Sequence, residues 1–112
     1  MRSPADELGL YQEIHSISGQ MVQAAQAAAW DELVVLEARV AALRDRLQAE
    51  ASASLSTGEN ESKAQLIRAV LADDVEVRRL IGLWMAEVRP FLASQNQHRK
   101  VQQAYAAGGG AV

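Results

Sequence analysis

Apolar side chains recur along this chain at alternating steps of three and four residues, in three separate runs. The first is Leu10, Ile14, Ile17, Met21, Ala24 and Ala28, widened by Tyr11, Val22 and Ala25. The second is Leu33, Leu36, Val40, Leu43 and Leu47. The third and longest is Ile67, Val70, Asp74, Val77, Ile81, Trp84, Val88 and Phe91, apolar except at Asp74. This spacing lays side chains along one stripe of an α-helix, which repeats every ~3.6 residues. Such stripes are stable in water only when buried against one another. The pattern predicts an all-α fold: an antiparallel three-helix bundle over about 4–28, 31–54 and 61–92, organised around the third stripe.

The ends of these runs carry recognisable chemistry. Ser3-Pro4 opens the first helix, with Ser3 as cap, Pro4 at the first position, and Asp6 and Glu7 opposing the helix dipole. Gly9 and Gly19 are read as points of close helix approach or else of local looseness. The phase shifts between Ala28 and Leu33 with no Gly or Pro, so a tight turn is expected there. Asp31 or a neighbour would cap the second helix, and Trp30 would pack in the corner. The other face of that helix, with Glu37, Arg39, Arg44, Asp45, Arg46 and Glu50, reads as solvated. Ala51 to Asn60 loses periodicity and is rich in Ser, making it the main loop. Asp73 followed by Glu76 resembles a capping pair, but Val70 and Val77 stay in phase across it. Helix 3 is therefore expected to be continuous, with Asp74 needing a partner or water.

Pro90 is expected to kink or end helix 3. Ala93 to Gln97 reads as a polar linker, and 96–106 as a short fourth helix carrying Val101 and Tyr105. The domain reading is a bundle over 1–93, a C-terminal regulatory helix over 94–107, and a disordered tail over 108–112.

Composition narrows the class. A chain of 112 residues argues for one modest core, and 49% hydrophobic content with 4% aromatic residues leaves aliphatic and small side chains to fill it. Without cysteine there is no disulfide, thiol nucleophile or thiolate metal site. A net charge of −3 disfavours a nucleic-acid binder. The start turns acidic at once, with no signal-peptide core, and the longest uncharged run is amphipathic, not a membrane span. A cytoplasmic protein is expected. His15 and His98 have no ligand spacing, no phosphate-binding glycine loop occurs, and no carboxylate has an evident acid–base partner. No enzyme activity, cofactor or metal is expected.

Several stretches resemble one family. Ala29-Trp30-Asp31-Glu32-Leu33-Val34-Val35-Leu36-Glu37 resembles the helix 1–helix 2 junction of the FliT family of flagellar export chaperones. Ile67 to Arg78, an aliphatic run meeting Asp73-Asp74, resembles its third helix. Met85-Ala86-Glu87-Val88 and Arg99-Lys100-Val101-Gln102-Gln103-Ala104-Tyr105 resemble its C-terminal end. Two departures stand out: the Ala-Tyr pair is followed by Ala where Gly is usual, and the tail is short. The resemblance implies a chaperone that binds the C-terminal region of the filament cap protein FliD. It would prevent premature assembly and deliver FliD to the type III export apparatus. It also brings in the flagellar master regulator as a candidate second partner.

The residues themselves suggest a mechanism. Leu36, Val40, Leu43, Val70, Val77, Leu80 and Trp84 are the candidate partner-binding set, divided between core and groove. Val101 and Tyr105, with Arg99 and Lys100 beside them, are candidates for a tail that covers the groove until cargo displaces it. The alternative is a self-associating helical module, a homodimer without chaperone activity.

Overall fold

A computed structural model describes the backbone of residues 2–111 and the side chains of residues 2–91. The described residues form three α-helices and no strand: α1 (Pro4–Gln26), α2 (Trp30–Ala49) and α3 (Thr57–Ala111). The chain divides into two compact units, Met1–Leu80 and Ile81–Val112. The first holds α1, α2 and the opening turns of α3. The second is the remainder of α3, where Ile81, Trp84 and Val88 are half-buried and Leu83, Met85 and Phe91 are exposed.

The start of α1 is a capping box. Ser3 Oγ accepts from the Asp6 N–H at 3.1 Å, and the Asp6 carboxylate accepts from the Ser3 N–H at 3.4 Å, with Pro4 following the cap. The helix ends on an exchange that the sequence conceals. Ala28 adopts φ 54°, the left-handed conformation usually supplied by glycine. The Ala29 N–H reaches the Ala24 carbonyl at 2.8 Å and the Ala28 N–H reaches that of Ala25 at 3.1 Å. These two bonds satisfy the last carbonyls of α1 and reverse the chain. Ala29, not Asp31, is the N-cap residue of α2, and it makes no side-chain cap; Asp31 and Glu32 lie in the first turn, facing the positive end of the helix dipole. Trp30 opens α2 and is half-buried.

The core of the first unit is built on α1, not on the α3 stripe. Leu10, Ile14, Ile17, Met21, Ala24 and Ala25 are buried from α1, and Leu33, Leu36, Val40 and Leu43 from α2. Among the described residues of α3, only Val77 is fully buried, at 5% exposure; Val70 and Ile67 are half-buried, and Leu71 and Val75 lie open. Each large aliphatic side chain removed from water contributes about 1.5–3 kcal/mol, so the α1–α2 seam carries most of the burial. Gly9 and Gly19 mark no close approach: a Cβ at either would meet nothing within 4 Å.

Helix boundaries shift for identifiable reasons. The second helix stops at Ala49, not 54, where Glu50 turns extended at ψ 151°. The third starts at Thr57, not 61, because Ser56 and Glu59 form a second capping box. The Glu59 N–H donates to Ser56 Oγ at 3.1 Å and the Ser56 N–H to Glu59 Oε1 at 2.9 Å. Continuity through Asp73-Asp74 holds.

A separate fourth helix over 96–106 is not formed; that backbone belongs to α3, which continues past Pro90. Proline deletes one helical hydrogen bond. Once a long helix is nucleated, each further residue adds a bond, and 93–107 contains no Gly or Pro to stop it. The side chains of Arg99, Lys100, Val101 and Tyr105 lie outside the described residues, as does Val112 at the end of the expected tail.

Candidate functional site

The first unit is closed at one end by a buried charge cluster. Glu7 is 0% exposed. Its carboxylate accepts from Arg2 Nε at 2.7 Å, Lys63 Nζ at 3.2 Å and the Ala53 N–H at 3.5 Å. Arg2 also donates to the carbonyls of Arg46 at 3.0 Å and Leu47 at 3.3 Å, the last turn of α2, and to that of Glu50 at 3.5 Å. One guanidinium thus satisfies the free carbonyls at the C-terminal end of α2 and neutralises a carboxylate from α1. Burial pushes the Glu7 carboxyl pKa up, but the hydrogen bonds from Arg2, Lys63 and the Ala53 N–H, with the Arg2 charge, outweigh it and hold the value below normal. Lys63 also lies 5.1 Å from the centre of the Tyr11 ring. Sequence reasoning assigned Glu7 only to the helix dipole. Its position three residues before Leu10, on the seam of α1, was the signal that it points inward.

Above this cluster a cleft of about 610 Å³ runs between α2 and α3, floored by α1. Ile14, Met21, Val40, Val70 and Val77 give it an apolar bed, with Tyr11 and Leu47 toward one end. Its polar rim is Glu37, Arg44 and Gln48 from α2, and Asp73, Asp74 and Arg78 from α3. The third-helix aspartates are both accounted for. Ser18 donates its hydroxyl to Asp73 Oδ2 at 2.7 Å and shares it with the His15 carbonyl at 2.8 Å, pinning α3 to α1. Asp74 pairs with Arg78 one turn on at 3.0 Å, an exposed ion pair of small energetic weight.

The candidate partner-binding set divides. Val40, Val70 and Val77 line the cleft. Leu36 and Leu43 are buried in the α1–α2 core. Leu80 is half-buried and outside the cleft lining, and Trp84 belongs to the second unit. Sequence reasoning missed the α1 floor and treated Glu37 and Arg44 as a solvated face; they are exposed, but they stand on the cleft rim.

Among the described residues, no group of His, Cys, Asp and Glu is arranged to hold a metal ion, and no helix is long and apolar enough to cross a membrane. Fold and site together define a small all-helical protein whose distinguishing feature is an open, apolar, charge-rimmed cleft between helices. Comparison with known proteins places it further. The family model described as "Flagellar protein FliT" matches residues 8–107, and the chain belongs to the FliT family, a flagellar family of chaperone type. It is 29% identical over 99 residues to the flagellar protein FliT of Serratia proteamaculans (strain 568), covering 88% of this chain and 81% of that protein. It is 27% identical over 99 residues to FliT of Yersinia pseudotuberculosis serotype O:3 (strain YPIII), covering 88% and 82%. With FliT of Photorhabdus laumondii it shares 24% identity over 106 residues, covering 94% and 85%. No solved structure matches the chain.

Proposed function

We propose that the cleft between α2 and α3 receives an amphipathic helix from the C-terminal region of the filament cap protein FliD. The chain thereby holds FliD unassembled in the cytoplasm and hands it to the type III export apparatus. The observation that carries this reading is the cleft itself: a groove between α2 and α3 with an apolar bed and charged side chains along its rim. Its α3 wall runs from Ile67 to Arg78, about 17 Å of helix, or three turns. A bound helix laid along three turns presents anchors at i, i+3 or i+4 and i+7, the usual pattern of helix-in-groove recognition. The family membership supports a flagellar partner.

In this reading the segment from Ser94 onward, which continues α3 in the structure, regulates access by breaking from that helix and folding back, with Val101 and Tyr105 as its apolar anchors and Arg99 and Lys100 beside them. A competing tail lowers net cargo affinity by the free energy needed to displace it. Deleting 94–112 should therefore tighten cargo binding in calorimetry; unchanged or weaker binding removes the gate from the proposal. The flagellar master regulator is a candidate second ligand, tested by the same binding assay.

The decisive experiment is co-purification with the C-terminal segment of the host's filament cap protein, with light scattering for stoichiometry. A stable 1:1 complex supports the chaperone reading. A homodimer indifferent to that segment replaces it with a self-associating module.

A further inference from the structure

The charges around the cleft are sorted along its length, and this sorting has a consequence for what it binds. Glu7 meets Lys63 and Ser18 meets Asp73, so α1 and α3 run side by side in the same direction with a nearly constant offset. The turn at Ala27–Ala29 sends α2 back the other way. Asp73 and Asp74, level with Ser18 and its neighbour, therefore stand in the half of the cleft nearer that turn. Glu37 stands in the same half, because it lies seven residues, or about 10 Å of helix, closer to the turn than Arg44.

That end of the cleft holds three carboxylates, Glu37, Asp73 and Asp74, against one guanidinium, Arg78, already paired with Asp74. Ser18 gives Asp73 a hydrogen bond but no countercharge. The opposite end holds Arg44 with Gln48 and Tyr11. The ammonium of Lys63 stands over the Tyr11 ring and shares the single Glu7 carboxylate with Arg2. Among the described residues, neither Glu37 nor Arg44 has an ion-pair partner within 4.0 Å. One end of the groove is therefore acidic and the other basic, with an apolar bed between.

We propose that this gradient dictates the direction in which a helix docks. The N-terminal end of the bound helix, carrying the positive end of its dipole and basic side chains, lies against Glu37, Asp73 and Asp74. An acidic side chain about two turns later reaches Arg44. The guest runs parallel to α2 and antiparallel to α1 and α3. The partner class is an amphipathic helix that is basic in its first turn and acidic in its third. Apolar burial supplies affinity; the charges choose between the two directions that an apolar stripe alone leaves equivalent. This inference rests on the docking reading above and adds a direction to it.

The test uses two synthetic 18-residue peptides of identical composition and leucine stripe. One has lysines in the first turn and glutamates in the third; the other has them exchanged. Each is titrated by fluorescence anisotropy into the full chain and into the double variant Glu37→Lys with Arg44→Glu, whose two sites are exposed. Comparing the ratio of affinities between the two proteins cancels the different intrinsic helicity of the peptides. The basic-first preference on the natural chain should exceed that on the variant by about fivefold or more, and shrink in high salt. Equal ratios on the two proteins overturn the directional proposal while leaving the groove as a helix receptor. If neither peptide binds the natural chain, the docking reading falls and takes the direction with it.

Discussion

Replacing Glu7 tests the energetic logic of the fold directly. Its carboxylate is fully buried and holds together three pieces of the first unit: the N-terminal arm through Arg2, the 50–56 connection through the Ala53 N–H, and α3 through Lys63. In Glu7→Ala the Arg2 guanidinium, itself 7% exposed, keeps its bonds to the α2 carbonyls but loses its countercharge. Removing one partner of a buried ion pair costs about 3–5 kcal/mol, because a charge is left desolvated and unpaired. A domain of this size has only about 5–15 kcal/mol of stability in all. The variant should therefore melt about 12–20 °C lower, on the scaling of roughly 4 °C per kcal/mol for a chain of this length. Circular dichroism at 222 nm during urea and thermal unfolding measures it. Glu7→Gln should lose less, since the amide still accepts a hydrogen bond from Arg2. The pH dependence has a definite sign. The folded-state pKa of Glu7 is lowered from 4.5, so its stabilisation is fully present above that value and disappears as pH falls through the lower folded value. Glu7→Gln should flatten that part of the acid limb. A Glu7→Ala midpoint shift worth less than about 1 kcal/mol would refute the reasoning and mark the pair as neutral against its own desolvation.

Four further outcomes are expected. Ala28→Gly should stabilise the chain by about 1 kcal/mol, because glycine adopts the left-handed turn without the Cβ penalty; an unchanged midpoint in thermal unfolding contradicts the turn geometry. Gly19→Ala should also stabilise, by up to about 1 kcal/mol of helix propensity, since the new methyl meets open space. Ser56→Ala should cost about 1 kcal/mol by removing the cap of α3, read from the urea midpoint. Leu36→Ala and Val70→Ala separate core from cleft. The first should lose about 2–5 kcal/mol of stability, while the second should lose far less and weaken binding of the cap-protein segment in calorimetry.

Much of this protein can be read directly from its residues. The 3-4 spacing of Leu10 to Ala24 and of Leu33 to Leu43 specifies two amphipathic helices, and those positions are buried. Ser3-Pro4-Ala5-Asp6 specifies the start of α1; the same capping signature in Ser56-Thr57-Gly58-Glu59 was hidden by the loss of periodicity over 51–60, which read as loop. The family resemblance was legible too, because it rests on local strings of side chains in order along the chain.

What the pattern left open depended on which stripe meets which. Periodicity makes a face apolar without saying how much of it another helix covers, so Val70 and Leu36 look alike in sequence and differ in the fold: one lines an open cleft and the other is sealed. The Arg2–Glu7–Lys63 cluster joins positions up to 61 residues apart, and only the packing of α1, α2 and α3 brings those charges within 3.2 Å. The left-handed Ala28 is likewise invisible locally, since alanine is the best helix former and its side chain carries no signal for that conformation. Local chemistry determined the elements; the long-range burial of α1 between two others decided where the core lies and where the surface stays open.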